Sequence, residues 1–133
     1  MSEATAIDVW PGAIAAITLF VENLEEAKGF YQQVFGLPLV YEDANSAVFR
    51  FGETLINLLD ANEAPSLVSP ATVAPPEAGV RHQFTLDVED VDRMCEELKS
   101  RGVELLNGPM DRPWGIRTAS FRDPGGHIWE IAK

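Results

Sequence analysis

Phe20-Val21-Glu22-Asn23-Leu24 opens a helical stretch that closes at Phe35-Gly36-Leu37, and Asp87-Val88-Glu89-Asp90-Val91 opens a second that closes at Arg101-Gly102-Val103. Phe20 and Asp87 stand 67 residues apart, Phe35 and Arg101 stand 66 apart, and two copies of one unit therefore fill nearly all of the 133-residue chain. A duplicated unit has an interface between its copies, and such interfaces are where small-molecule clefts form.

Each copy reads as a strand, a helix and then more strands. In the first, Ile17, Leu19 and Val21 fall on one face of a strand while Ala16, Thr18 and Phe20 fall on the other. Asn23 is placed to cap a helix with Glu26 at its third position and an apolar stripe of Ala27, Phe30, Tyr31 and Val34, ended by Gly36. Strands are predicted at 39–42, 47–51 and 54–59, the last two joined by a hairpin turn at Gly52-Glu53. In the second copy Phe84, Leu86 and Val88 alternate with Gln83, Thr85 and Asp87, and Asp90 caps a helix carrying Val91, Met94, Cys95 and Leu98. Strands are predicted at 103–106, 117–122 and 128–132. The modules span about 10–62 and 79–133, and residues 61–79, with Pro65, Pro70, Pro75 and Pro76, read as a connector because proline joins a sheet ladder only at its edges. A connector of that length is either a functional loop or a linker.

Bulk composition narrows the partners. A hydrophobic content of 46% supports one ordinary core. The net charge of −11 argues against nucleic acid, whose phosphates need lysine and arginine, and leaves a neutral or cationic small molecule as the fitting ligand. Met1-Ser2-Glu3-Ala4-Thr5 lacks the basic start and apolar run of a signal peptide, and no stretch is apolar enough to span a bilayer, so a cytoplasmic protein with no membrane partner is expected. Cys95, the single cysteine, reads as a small buried hydrophobe.

The last stretch, Pro113-Trp114-Gly115-Ile116-Arg117 followed by Phe121-Arg122-Asp123-Pro124-Gly125-Gly126-His127-Ile128-Trp129-Glu130-Ile131, resembles the closing hairpin of the vicinal oxygen chelate superfamily. That superfamily includes glyoxalase, extradiol dioxygenases, fosfomycin resistance enzymes and bleomycin resistance proteins. The paired openings at 19–24 with 30–37 and at 88–92 are similar to it as well. The resemblance implies an α+β fold of two tandem βαβββ modules, forming a curved mixed sheet around a cleft, and a homodimer.

In metal-dependent members, four cleft side chains hold a divalent ion such as zinc, nickel or iron. Carried over residue by residue, the resemblance places Ala16, Asn57, Gln83 and Glu130 at those positions. One methyl group, two amides and one carboxylate make a poor set for such ions, so no metal cofactor is expected. Were a metal bound, Gln83 and Glu130 would be its ligands, with His82 added by a one-residue register shift. His127, after two glycines, reads as a turn residue.

Strand parity turns Thr18, Phe20, Asn57, Leu59, Gln83, Thr85, Asp87 and Glu130 toward the cleft. The candidate ligand-binding residues are Phe20, Asn57, Gln83, Asp87, Trp114 and Glu130. Trp114 either stacks over a planar ligand or packs against the module interface. Asp87 and Glu130 either anchor a cation, act as an acid and a base, or pair with Arg117 or Arg50. Two functions fit: a metal-independent binder that sequesters an aromatic or cationic compound, similar to the bleomycin resistance branch, and a metal-dependent lyase or isomerase of the lactoylglutathione lyase type.

Overall fold

The computed structural model describes residues 10–133; the segment read for a signal peptide lies outside them. The chain runs β1 (Ala16–Val21), α1 (Leu24–Phe30), β2 (Leu39–Glu42), β3 (Ser46–Phe51), β4 (Thr54–Asp60), α2 (Pro65–Val68), β5 (Gln83–Asp87), α3 (Val91–Ser100), β6 (Leu105–Asp111), β7 (Arg117–Arg122) and β8 (Ile128–Ala132). The strands form two four-stranded mixed sheets, ordered β1-β4-β3-β2 and β5-β8-β7-β6. In each, the first strand of the module pairs in parallel with the last, and the other ladders are antiparallel. This is the expected βαβββ order, twice over, with no closed barrel.

Local chemistry sets the helix ends. The Asn23 side chain accepts from the Glu26 N–H at 3.0 Å and Asp90 from the Arg93 N–H at 3.0 Å, satisfying donors that the first turn leaves free. After Phe30 the helix widens into one π-helical turn, Tyr31–Phe35, closed by Gly36 at φ 63°. The widened turn aims Tyr31 and Phe35 at both sheets: Tyr31 meets Phe49 at 5.5 Å between centroids, and Phe35 meets Phe51 at 5.1 Å and Trp129 at 4.9 Å. The two modules thus share one core, in which Leu19, Val21, Ile56, Leu58, Phe121, Trp129 and Ile131 are buried together. Cys95 is buried within it, as expected.

Two elements differ from the sequence reading. β6 extends to Asp111, well past residue 106, because its register shifts between Asn107 and Met110 and so accommodates Gly108 and Pro109, residues that read as breakers. The connector also has structure of its own: α2 is flanked by single helical turns at Ala61–Glu63 and Pro76–Ala78, with proline starting both α2 and the latter turn.

Candidate functional site

Side chains that face away from the shared core line up in rows across each sheet. In the first sheet Thr18, Asn57 and Val48 are direct cross-strand neighbours. Asn57 Nδ2 donates to Thr18 Oγ1 at 3.4 Å, while Asn57 Oδ1 is buried with no hydrogen-bond partner. In the second sheet the row is Thr85, Glu130, Ser120 and Asn107. Thr85 Oγ1 donates to Glu130 Oε1 at 2.9 Å. The neighbouring row carries Asp87, Thr118 and Met110.

Arg112 is the residue that strand parity could not find, since it leaves β6 in a loop. Its Nε donates to Thr118 Oγ1 at 2.8 Å and its Nη2 to Asn107 Oδ1 at 3.2 Å, which lays the guanidinium against this sheet face. Its guanidinium carbon stands 5.9 Å from the centre of the Trp114 ring, within cation–π reach. Trp114 itself is 68% exposed and is not packed at a module interface. Gln83 and Asp87 are exposed, and among the described residues neither Asp87 nor Glu130 is in an ion pair. Arg117 is bound elsewhere, to Asp92 at 2.9 Å and Asp111 at 3.0 Å.

The four positions that the resemblance assigns to metal ligands do not fit an ion. Ala16 offers no donor and pairs with Leu55, one row away from Asn57; Gln83 pairs with Ile128, one row away from Glu130. The Glu130 carboxylate already accepts from Thr85, and Asn57 turns its Nδ2 to Thr18, which leaves its unpartnered Oδ1 as one neutral amide donor beside that single carboxylate. Zinc, nickel and iron need a fuller set of charged or imidazole donors than this.

Phe20 belongs to a different place. A groove of about 300 Å³ lies where the end of β1 meets the connector and the turn between β7 and β8, walled by Phe20, Pro75, Pro76 and Val80; it includes none of Asn57, Gln83, Asp87, Trp114 or Glu130. His82 and His127 line it together. His127 Nδ1 is 3.3 Å from His82 Nε2, and His127 Nε2 is 3.2 Å from the Phe20 carbonyl oxygen. Partial desolvation against the groove, followed by repulsion from His127, holds the His82 imidazole below its ordinary pKa. His127 is therefore more than a turn residue.

Behind it, the 5% exposed Asp123 accepts from the His127 N–H at 2.9 Å, from Tyr31 Oη at 2.7 Å and from Trp129 Nε1 at 3.4 Å. Burial and the neighbouring Asp123 push the Tyr31 phenol far above its usual range, so it stays a donor.

Comparison with known proteins agrees with this architecture. The chain is 34% identical over 121 residues to the uncharacterized protein YraH of Bacillus subtilis, covering 88% of this chain and 94% of that one. The crystal structure of a glyoxalase/bleomycin resistance protein/dioxygenase from Nocardioides superposes with a TM-score of 0.83 at 25% identity, over 93% of this chain and 84% of that one. Lactoylglutathione lyase from Agrobacterium tumefaciens shares the fold at a TM-score of 0.74 and 23% identity, over 92% and 93%. Residues 13–131 match the profile of the Glyoxalase/Bleomycin resistance protein/Dioxygenase superfamily, and the chain belongs to that superfamily.

Proposed function

We propose that this chain binds a small organic molecule on the polar face of its second sheet and does so without an ion at the superfamily's ligand positions. The observation that carries the reading is the donor set: a methyl group at Ala16, an amide turned to Thr18 at Asn57, and a carboxylate turned to Thr85 at Glu130. Hydrogen-bonding groups in rows suit recognition of an organic ligand better than Lewis-acid chemistry. Glu130 offers an acceptor for a cationic or N–H-bearing group. Arg112 offers fixed donors, and the exposed Trp114 ring is a platform for a planar one.

Such a protein sequesters its ligand, in the manner of a resistance-type binder. A homodimer completes the site, since Gln83, Thr85, Asp87 and Trp114 are exposed in a single chain.

The test is a titration of tryptophan fluorescence with planar cationic and planar neutral compounds, repeated on Glu130→Gln and Trp114→Leu. The expected result is saturable binding that Trp114→Leu abolishes and that Glu130→Gln weakens for the cations more than for the neutral compounds. A metal-dependent isomerisation or lyase activity that disappears in Glu130→Ala would replace this reading with the lactoylglutathione lyase type.

A further inference from the structure

The two histidines of the chain are its only imidazoles, and they meet at one point. His82 stands one residue before β5 and His127 one residue before β8. Because those strands pair in parallel with Gln83 opposite Ile128, the two rings are brought side by side, inclined at 30° with 5.4 Å between centroids.

One contact decides what this pair presents. The Phe20 carbonyl can only accept, so in neutral His127 the proton sits on Nε2 and the Nδ1 lone pair faces His82 Nε2, from which it accepts a hydrogen bond when His82 carries its proton there and which shares an ion with it when that proton is lost. A histidine whose far nitrogen donates to a carbonyl is oriented as metal-ligating histidines are. The distance also fits: two nitrogens held at 2.0–2.1 Å from one tetrahedral ion stand about 3.3–3.4 Å apart, and His82 Nε2 and His127 Nδ1 stand 3.3 Å apart.

We propose that His82 and His127 bind one borderline-soft divalent cation, of the zinc, nickel or copper class, at the mouth of the groove. Imidazole pairs suit these ions rather than magnesium or calcium, which take oxygen ligands. Among the described residues no three histidine, cysteine, aspartate or glutamate side chains converge, so the ion's remaining positions are filled from the groove by water or by a donor atom of a small molecule. Glu22, which lines the same groove, and a net charge of −11 favour accumulation of a cation there. The site is separate from the Glu130 face and stands whether or not that face binds a ligand.

Calorimetric titration of the whole chain with Zn²⁺ at pH 7.5 tests it, with His82→Gln, His127→Gln and Glu130→Gln alongside. His82 is exposed, so its substitution leaves the core intact. One equivalent should bind the unaltered chain; each histidine variant should weaken binding at least about ten-fold, as loss of one of two ligands requires, and Glu130→Gln should leave it unchanged. Histidine ring resonances should shift on titration of the unaltered chain, a readout that needs no variant. Three results each overturn the proposal: no binding at millimolar Zn²⁺, binding that survives His82→Gln, or binding lost with Glu130→Gln.

Discussion

Asp123 is a carboxylate placed in an aromatic core, and it is tolerable there because three donors converge on it: Tyr31 Oη, Trp129 Nε1 and the His127 amide. Removing it leaves Tyr31 Oη and the His127 amide without their acceptor, at about 1–3 kcal/mol apiece, while Trp129 Nε1 still donates to Tyr31 Oη at 3.2 Å. Asp123→Ala should therefore lower stability by about 2 kcal/mol or more, and Tyr31→Phe, which removes one of several partners, by about 1–2 kcal/mol. Urea unfolding midpoints at constant slope measure both; a loss below about 1 kcal/mol for Asp123→Ala would show that the donors find other acceptors. Asp92 makes a different, exposed contribution. The Arg117 guanidinium holds its carboxyl below the ordinary value of 3.8, so the stabilisation is fully present above that value and is lost as pH falls through the lower folded one. Asp92→Asn should accordingly be less stable than the unaltered chain at pH 6, and the gap should close as the pH falls below the lowered folded value. A pH-independent gap in thermal midpoints would place the effect in packing instead. At this scale the sequence was legible wherever the partner is local: Asn23 and Asp90 lie three residues from the amides they cap. It was opaque where the partner is far, as for Tyr31 and Asp123, 92 residues apart, and in the loop that carries Arg112, where no alternation places a side chain. The histidine pair falls between, because each stands one residue before a strand and only the pairing of β5 with β8 joins them.

At the level of elements, alternation sorted side chains onto the correct faces. Phe84, Leu86 and Val88 pack on the shared core, while Thr85 and Glu130 bond to each other on the opposite face. Alternation fails at a bulge, and β6 is the instance. Gly108, at φ 88°, sits where a Cβ would lie 2.5 Å from the Thr118 carbonyl oxygen and 2.7 Å from Ala119 Cα. Both neighbours are backbone of β7 and cannot step aside. Gly108→Ala should cost about 1–3 kcal/mol from crowding, in addition to the left-handed backbone penalty of about 1–2 kcal/mol. Gly36→Ala, at φ 63° with its nearest atom 3.9 Å away, should carry the backbone penalty alone. Equal midpoints for the two variants would mean that β6 and β7 separate readily to admit the methyl group.

At the scale of the molecule, the proposed homodimer predicts a light-scattering mass twice that of one chain at tens of micromolar. It also predicts that Trp114→Glu, on an exposed loop, shifts the mass toward the monomer without altering the circular dichroism of the fold. A monomeric mass for the unaltered chain would return the whole ligand face to a single protomer. The last consequence comes from the π-helical turn and the rings it throws against both sheets. Phe51 of the first module stacks on Trp129 of the second at 5.2 Å, and Phe84 lies on that same indole at 5.0 Å. A repeat that had kept its two cores apart would melt in two steps, one half surviving the other. Here neither half retains a core when its twin is gone, so the duplicated chain should melt as one cooperative unit, with equal van't Hoff and calorimetric enthalpies and no populated half-folded species. A chain cut between its two repeats should therefore yield two fragments that do not fold apart.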